Sequence, residues 1–356
     1  MEIHLKNNFT EIKTLIAQTR QKALLAVNQQ LIILYWNVGK YIFLKLQNAE
    51  WGEKIVTQLA DFLKTEEPDL KGFSSRNLFK MKQFYEIYKN SEIVLSLPPL
   101  LENTNSEIVP TLSALFDDIS NSLITKVSWS HHTEILNKAK TLEEKEYYIL
   151  LAIKEKLSVR DLRRQMESGY FERTMLANKT LPLIQAQIPQ NLTNIFKDSY
   201  VFEFLNLQEP HSELDLQKAL LQNLKKFLLE LGGGFTFVGE NVRLQVGIKD
   251  FYTDLLFFHR DLQCLVVFEL KITDFEPAFL GQLNFYLEAL DRDFRRPHEN
   301  LSIGVLICKQ KDSEVVEYAM SRNLSPALVA EYNTKFIDKQ VLKNKLHELI
   351  QIMNNQ

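Results

Sequence analysis

The residues best placed to do chemistry are Asp254, Glu269 and Lys271. Glu269 and Lys271 lie two apart in LVVFELKI, an apolar run that reads as a strand, so they share one face while Leu270 turns to the other. Asp254 belongs to a second such run, FYTDLLFF, and the two read as a hairpin turning in HRDLQ, residues 259–263. Opposed residues of an antiparallel pair share a face, so a turn centred between Asp261 and Leu262 makes the two carboxylates converge. Charge on core-like strands is costly unless compensated, and a metal ion is one compensation. Hard carboxylate oxygens suit Mg2+ or Mn2+, which also takes substrate phosphate as a ligand. Asp254 and Glu269 would hold the ion together with the Leu270 carbonyl. Lys271 would orient a water or neutralise a phosphate, and the chemistry would be phosphodiester hydrolysis. A Lys–carboxylate salt bridge on a half-exposed sheet face explains the same spacing, and spacing alone leaves the two readings level.

Downstream, Gln282 and Tyr286 are four apart and so on one face of the next helix, which must pack back on the sheet near the hairpin. Gln282 is placed to hold the catalytic lysine or a base edge. Past that helix, Arg292, Arg295 and Arg296 carry guanidinium forks suited to a nucleic-acid backbone. Other signals point to structure. Adjacent His131 and His132 point in different directions and read as packing or capping groups, not zinc ligands. The glycines at 232–234 lack the Lys and Ser/Thr of a phosphate loop and read as a helix stop. Cys264 and Cys308 sit in apolar runs and read as reduced core thiols.

The elements that must position these groups fall into two regions. From Ser212, a capping box with Asp215 opens a helix whose stripe, through Leu220, Leu224, Phe227 and Leu231, ends at the glycines. Strands are expected over 235–238, 242–246, 251–258 and 264–272, then a helix over 277–290 and a buried strand over 303–308. A helix over 314–321, a strand over 327–332 and a helical tail complete the order, which is α/β with one mixed sheet. The first 175 residues read instead as all-helical. A long helix over 10–46 has Leu24, Val27, Leu31, Leu34, Val38 and Ile42 as its stripe, and a second covers 53–63. A third is capped by Ser74 or Ser75, and others cover 130–140, 142–156 and 159–168. Residues 95–113, with three prolines, read as a surface loop. The expected organisation is a helical domain over 1–175, a connector over 176–200 and a catalytic domain over 201–350.

FSSRNLFKM at Phe73 to Met81 and LSVRDLRRQM at Leu157 to Met166 echo one another, each with a Ser two residues before an Arg. As helix-turn-helix-like units they would offer Arg76 and Lys80, or Arg160, Arg163 and Arg164, to DNA; as capped amphipathic helices they would offer nothing. A net charge of −3 over 356 residues announces no nucleic-acid partner, so any phosphate-binding surface must be local. No basic start followed by an apolar stretch opens the chain, and no apolar run approaches a membrane span, so a cytoplasmic protein is expected.

The run FYTDLLFFHRDLQCLVVFELKITDFEPAFLGQLNFYLEALD resembles the PD-(D/E)XK nuclease domain of the bacterial YhcG-like family. Upstream, LIILYWNVGKYI, KGFSSRNLFKMKQFY, VSWSHH and LSVRDLRRQM resemble that family's N-terminal helical domain, whose function is undetermined. The resemblance implies an all-α domain followed by a restriction-endonuclease-like α/β domain, a mixed sheet flanked by helices. It implies Asp254, Glu269 and Lys271 as an active-site triad, Gln282 as an accessory residue, and a Mg2+- or Mn2+-dependent endodeoxyribonuclease. One position departs from the pattern. Many nucleases of the superfamily carry an acid on the first core helix, where this chain has Gln217, with Glu213 one turn earlier. That implies one metal rather than two, or Glu213 in the acid's place. The alternative is a catalytically weak or inactive nuclease-fold module for nucleic-acid binding or assembly. Symmetric dimers are common among soluble proteins, so a homodimer or another protein partner stays open.

Overall fold

The computed structural model describes residues 2–95, 119–177, 195–208, 210–321, 323 and 325–354. The chain divides into two compact units, Met1–Arg163 and Arg164–Gln356. The N-terminal unit holds α1 (Glu2–Gln47), α2 (Glu53–Glu66), α3 (Ser75–Tyr88), α4 (Glu92–Leu95), α5 (Trp129–Lys138), α6 (Leu142–Lys154) and the start of α7 (Val159–Glu167). α1 and α3 cross so closely that a Cβ on Gly39 would lie 2.1 Å from the Met81 carbonyl oxygen, and only glycine fits there. Tyr35 and Ile42 of α1 pack with Leu78 and Met81 of α3 around that crossing.

The stripe expected along α1 faces the core only at its C-terminal end. Leu24, Val27, Leu31 and Leu34 are exposed, whereas Val38 packs on the core and Ile42 is buried in it together with Ile32, Tyr35 and Trp36, which the stripe omits. α1 carries apolar residues on two faces, and periodicity alone does not say which face finds a partner. Ser74 is the N-cap of α3, but its hydroxyl makes no capping hydrogen bond. Residues 96–113 of the expected loop lie outside the described residues.

The C-terminal unit holds the rest of α7, then α8 (Tyr170–Ala177), β1 (Ser199–Val201), α9 (Glu213–Gln222), α10 (Leu224–Leu231), β2 (Phe235–Val246), β3 (Lys249–His259) and β4 (Cys264–Leu270). α11 (Ala278–Asp293), β5 (Ile303–Cys308), α12 (Ser313–Met320), β6 (Ala327–Asn333) and α13 (Lys339–Asn354) follow. The strands form one mixed sheet in the order β1-β6-β5-β4-β3-β2. β1, β6, β5 and β4 are parallel to their neighbours, and the β4-β3 and β3-β2 pairs are antiparallel. Helices cover both faces, as in the α/β domain expected. Leu216 and Leu220 of α9 and Phe227 of α10 pack with Phe257 and Phe268. Leu283 and Leu287 of α11 pack with Leu256, Val267 and Leu306.

Local details differ from the sequence reading for physical reasons. β1 straddles the end of the expected connector and pairs with β6; three residues are too few to show a period of two. The expected helix over 212–231 breaks at Asn223, whose side-chain amide donates to the Ala219 carbonyl. The two strands read over 235–238 and 242–246 are the single strand β2, irregular in register between Phe237 and Gly239. The division into units falls inside α7, ahead of the connector expected at 176–200, of which 178–194 lie outside the described residues. Residues 164–177 are drawn to the C-terminal unit by a buried charge network. Glu230 of α10 accepts hydrogen bonds from Arg173, from Arg164 Nη1 at 3.0 Å and from the Val201 amide at 3.0 Å, and Lys197 Nζ lies 3.8 Å away. Among the described residues, no helix is long and apolar enough to cross a membrane.

Candidate active site

β3 and β4 pair Leu255 with Phe268 and His259 with Cys264, a hairpin centred between Asp261 and Leu262. Continuing that register by one residue sets Asp254 opposite Glu269, so the two side chains share a face. Each carboxylate is tied to the other strand's backbone. The Leu270 amide donates to Asp254 Oδ2 at 2.8 Å, and the Asp254 amide donates to Glu269 Oε1 at 3.3 Å. Glu269 is 2% exposed. Lys271 Nζ stands 3.5 Å from Glu213 Oε2 and 4.0 Å from Glu269 Oε2, with its side chain 13% exposed.

Burial raises the Asp254 carboxyl above the ordinary aspartate range, and the charge of Glu213 adds to this; the Leu270 amide and Lys271 pull the other way. Burial, and after it the charge of Asp254, pushes the Glu269 carboxyl up to about 8 against the pull of Lys271. One lysine therefore faces three carboxylates, and the site is short of positive charge. Among the described residues, no group of three or more His, Cys, Asp or Glu is arranged to hold a metal by side chains alone. Two carboxylates with a main-chain carbonyl fit Mg2+ or Mn2+, which keep waters and take ligands from substrate phosphate, and do not fit a closed zinc cage.

The surrounding helices set the remaining groups. Reciprocal hydrogen bonds between Ser212 and Asp215 fix the start of α9, and with it Glu213 and, one turn on, the buried Gln217. Gln217 Nε2 donates to the main-chain carbonyl of Asp254 at 2.8 Å. Sequence reasoning placed Gln217 at the site but missed this contact, because a side-chain bond to distant backbone leaves no spacing signature. Gln282 is exposed, and its Nε2 donates to Tyr286 Oη at 2.6 Å rather than to Lys271. Burial raises the Tyr286 hydroxyl pKa; the Gln282 bond opposes this, and the charges of Glu269 and Asp254 add to it.

The basic residues expected at nucleic acid meet different fates. Arg164 is a correction: it is mostly buried, bonded to Glu203 at 2.7 and 2.8 Å and to Glu230, and serves the charge network instead. Its acidic partners lie 39 and 66 residues away in sequence, beyond the reach of any local pattern. Arg163 pairs with Glu134 at 2.6 Å and Lys80 donates to Asn137 at 2.5 Å. Arg292 pairs with Glu288 at 2.5 Å, and Arg295 donates to the Glu299 carbonyl at 2.9 Å. Arg76, Arg160 and Arg296 are exposed. The two histidines pack as expected: His132 is buried against the Ile124 carbonyl, and His131 bridges Ser128 and the Leu157 carbonyl.

Residues 193–347 match the family described as YhcG PDDEXK nuclease domain, and residues 11–173 match the one described as DUF1016 N-terminal domain. Over 353 residues the chain is 30% identical to an Escherichia coli (strain K12) protein named "Putative nuclease YhcG", with 93% of this chain and 91% of that protein covered. A crystal structure of a repair endonuclease from Pyrococcus abyssi aligns with 36% of this chain and 50% of its own, at 14% identity and a TM-score of 0.25. With that similarity running along nearly its whole length, this chain belongs to the YhcG family, and its C-terminal half is a PDDEXK nuclease domain.

Proposed function

We propose that this protein is a divalent-metal-dependent endonuclease that hydrolyses phosphodiester bonds in DNA, with Asp254, Glu269 and Lys271 as its active-site triad. One observation carries this reading: the buried Glu269 and the half-buried Asp254 stand opposed across the hairpin, each bonded to the other strand's backbone, with Lys271 beside them. Mg2+ or Mn2+ would be held by Asp254, Glu269 and the Leu270 carbonyl. The chemistry such an ion supplies when bound is acidification of a water ligand and neutralisation of phosphoryl charge. Lys271, steadied by Glu213 and Glu269, presents its ammonium to the scissile phosphate and the attacking water. Gln217 holds the backbone at Asp254, and Tyr286, bonded by Gln282, offers a hydroxyl that feels the charge of the pair. Exposed Arg292 and Arg296 are assigned to the DNA backbone, with Arg76 and Arg160 as the corresponding groups of the N-terminal unit.

Gln217, which donates to main chain where an acid would serve a second ion, favours one other reading: a nuclease-fold module that binds nucleic acid with little turnover. Purified protein given Mg2+ or Mn2+ with supercoiled DNA, linear DNA or RNA separates the two. Nicking or cutting of DNA that disappears in Asp254→Ala and Glu269→Ala supports the nuclease. Equal activity in those variants overturns the site, preference for RNA overturns the substrate, and tight DNA binding without calorimetric uptake of the ion supports the module.

A further inference from the structure

We propose that α1 pairs with α1 of a second copy of this chain as an antiparallel, two-fold symmetric helix pair. α1 has two unlike halves. Every described side chain from Glu11 to Val27 is exposed, and in this projecting half Phe9, Ile12 and Ile16 are 64, 55 and 53% exposed. The other half is anchored in its unit through Ile32, Tyr35, Trp36 and Ile42, yet on a different face Val27, Leu34 and Tyr41 stay 67, 45 and 41% exposed. A helical segment of about five turns gains most of its stability from packing an apolar face, so the projecting half requires a partner.

The sequence of the stripe says what that partner is. Its positions lie three, four or seven apart from Phe9 to Tyr41, the heptad spacing that seats the side chains of one helix between those of another. They are also nearly mirrored about residue 25. Reversing one copy sets Phe9 against Tyr41, Ile16 against Leu34 and Ala23 against Val27, so the same patch on both copies is complementary to itself. The projecting half of each copy then lies along the bare stripe of the other's anchored half. Contact over 33 residues runs about 48 Å at the helical rise, enough to reach the roughly 800 Å² per partner of a stable interface.

Charge selects the direction. Between Ile12 and Gln47 the helix has no acidic residue but carries Lys13, Arg20, Lys22, Lys40 and Lys45. A parallel pair in register would stack each cation on its own copy. In the antiparallel register each of these cations falls level with an uncharged position of the other copy, and no cation meets another.

Sedimentation of the full chain at micromolar concentration should give the mass of two copies. Val27→Glu with Leu34→Glu, both exposed in the single chain, should keep the circular dichroism and melting of each chain while weakening the dimer roughly 100-fold or more, the effect of burying unpaired charge. The native cysteines are buried, so Ile16→Cys and Leu34→Cys variants can be mixed and oxidised to read direction. A disulfide joining position 16 of one copy to position 34 of the other is expected. A 16-to-16 bond, a wild-type monomer, a dimer indifferent to the glutamates, or a monomer that binds anionic vesicles or DNA through α1 overturns the proposal.

Discussion

The C-terminal unit contains two clusters of buried charge, and burial acts on both in the same direction, yet they end on opposite sides of the ordinary carboxylate range. At Glu230, burial pushes the carboxyl up, but Arg173, Lys197 and Arg164 together outweigh it and hold the group at about 2. At Glu269, burial and the neighbouring Asp254 push the same way, Lys271 alone opposes them, and the carboxyl rises to about 8. The difference lies in the cations, three beside two acids in the first case and one among three acids in the second. A cluster balanced from within the chain is complete as structure. A cluster left short of positive charge is arranged to receive it from outside, and a metal-dependent phosphodiesterase has that requirement.

The largest expected effect tests what the deficient cluster is for. Asp254→Asn and Glu269→Gln should each lower the rate of DNA cleavage about 10³-fold or more, since on the proposed reading each removes a charged ligand of the metal. The same substitutions relieve repulsion between buried acids, so without metal at pH 8 the variants should melt at or above the wild-type temperature. Loss of cleavage together with a sharp fall in melting temperature would make the pair structural and erase the contrast with Glu230.

The balanced cluster should respond in the opposite sense. Glu230→Gln leaves Arg173 and Lys197 buried without their counter-charge, at a cost of about 3–5 kcal/mol. For a unit of this size that is a drop in melting temperature of roughly 10 °C or more, read by calorimetry. Cleavage per folded molecule should be unchanged, because no group near Asp254 is touched. Truncation between α8 and β1 should lower the melting temperature as Glu230→Gln does, since it removes Arg164 and Arg173 together.

pH separates the clusters by sign. The folded pKa of Glu269 lies above its ordinary value of 4.5, so its contribution to stability is full below that value and is lost as pH rises through about 8. The folded pKa of Glu230 lies below 4.5, so its contribution is present above that value and is lost as pH falls toward 2. Melting temperatures of metal-free protein should therefore decline between pH 5 and 9, less so in Glu269→Gln, and Mg2+ should remove the decline by standing in for the proton. Between pH 5 and 2 the decline should be smaller in Glu230→Gln than in wild type. A decline on the alkaline side that Glu269→Gln leaves untouched would assign it to another group.

How much of this was open to sequence reading follows from the range of the interactions. Two apolar runs of similar length joined by a short polar turn have few registers open to them, and the turn centre at residues 261 and 262 was enough to oppose Asp254 and Glu269. The Ser212 and Asp215 capping box was legible for the same reason, being local. Arg164 was not, because the buried acids that claim it are remote in sequence and its own neighbourhood is a mixed-charge helix. The face that α1 buries was not legible either, because both of its faces are apolar and only tertiary contact chooses between them.

Gln217 supplies the smallest effect and the sharpest test of whether charge alone defines the site. Its amide donates to the Asp254 carbonyl, so it acts on the backbone that carries the ligand and not on any ionisable group. Gln217→Met keeps the length of the side chain and removes the donor, leaving a buried carbonyl unpaired at about 1–3 kcal/mol of stability. With the backbone at Asp254 released, the turnover number should fall about 10-fold while KM for DNA stays within error, as misplacing a reactive group demands. Calorimetry with Mn2+ should show weaker binding in the same variant, a change that simple loss of packing would not produce. Gln217→Glu should fare no better than Met, because a carboxylate cannot donate to the carbonyl and adds a further negative charge beside Asp254 and Glu269. If Gln217→Glu instead binds Mn2+ more tightly and cuts faster than wild type, this position acts through charge after all, and the contrast drawn from Glu230 extends to every acid that the site can admit.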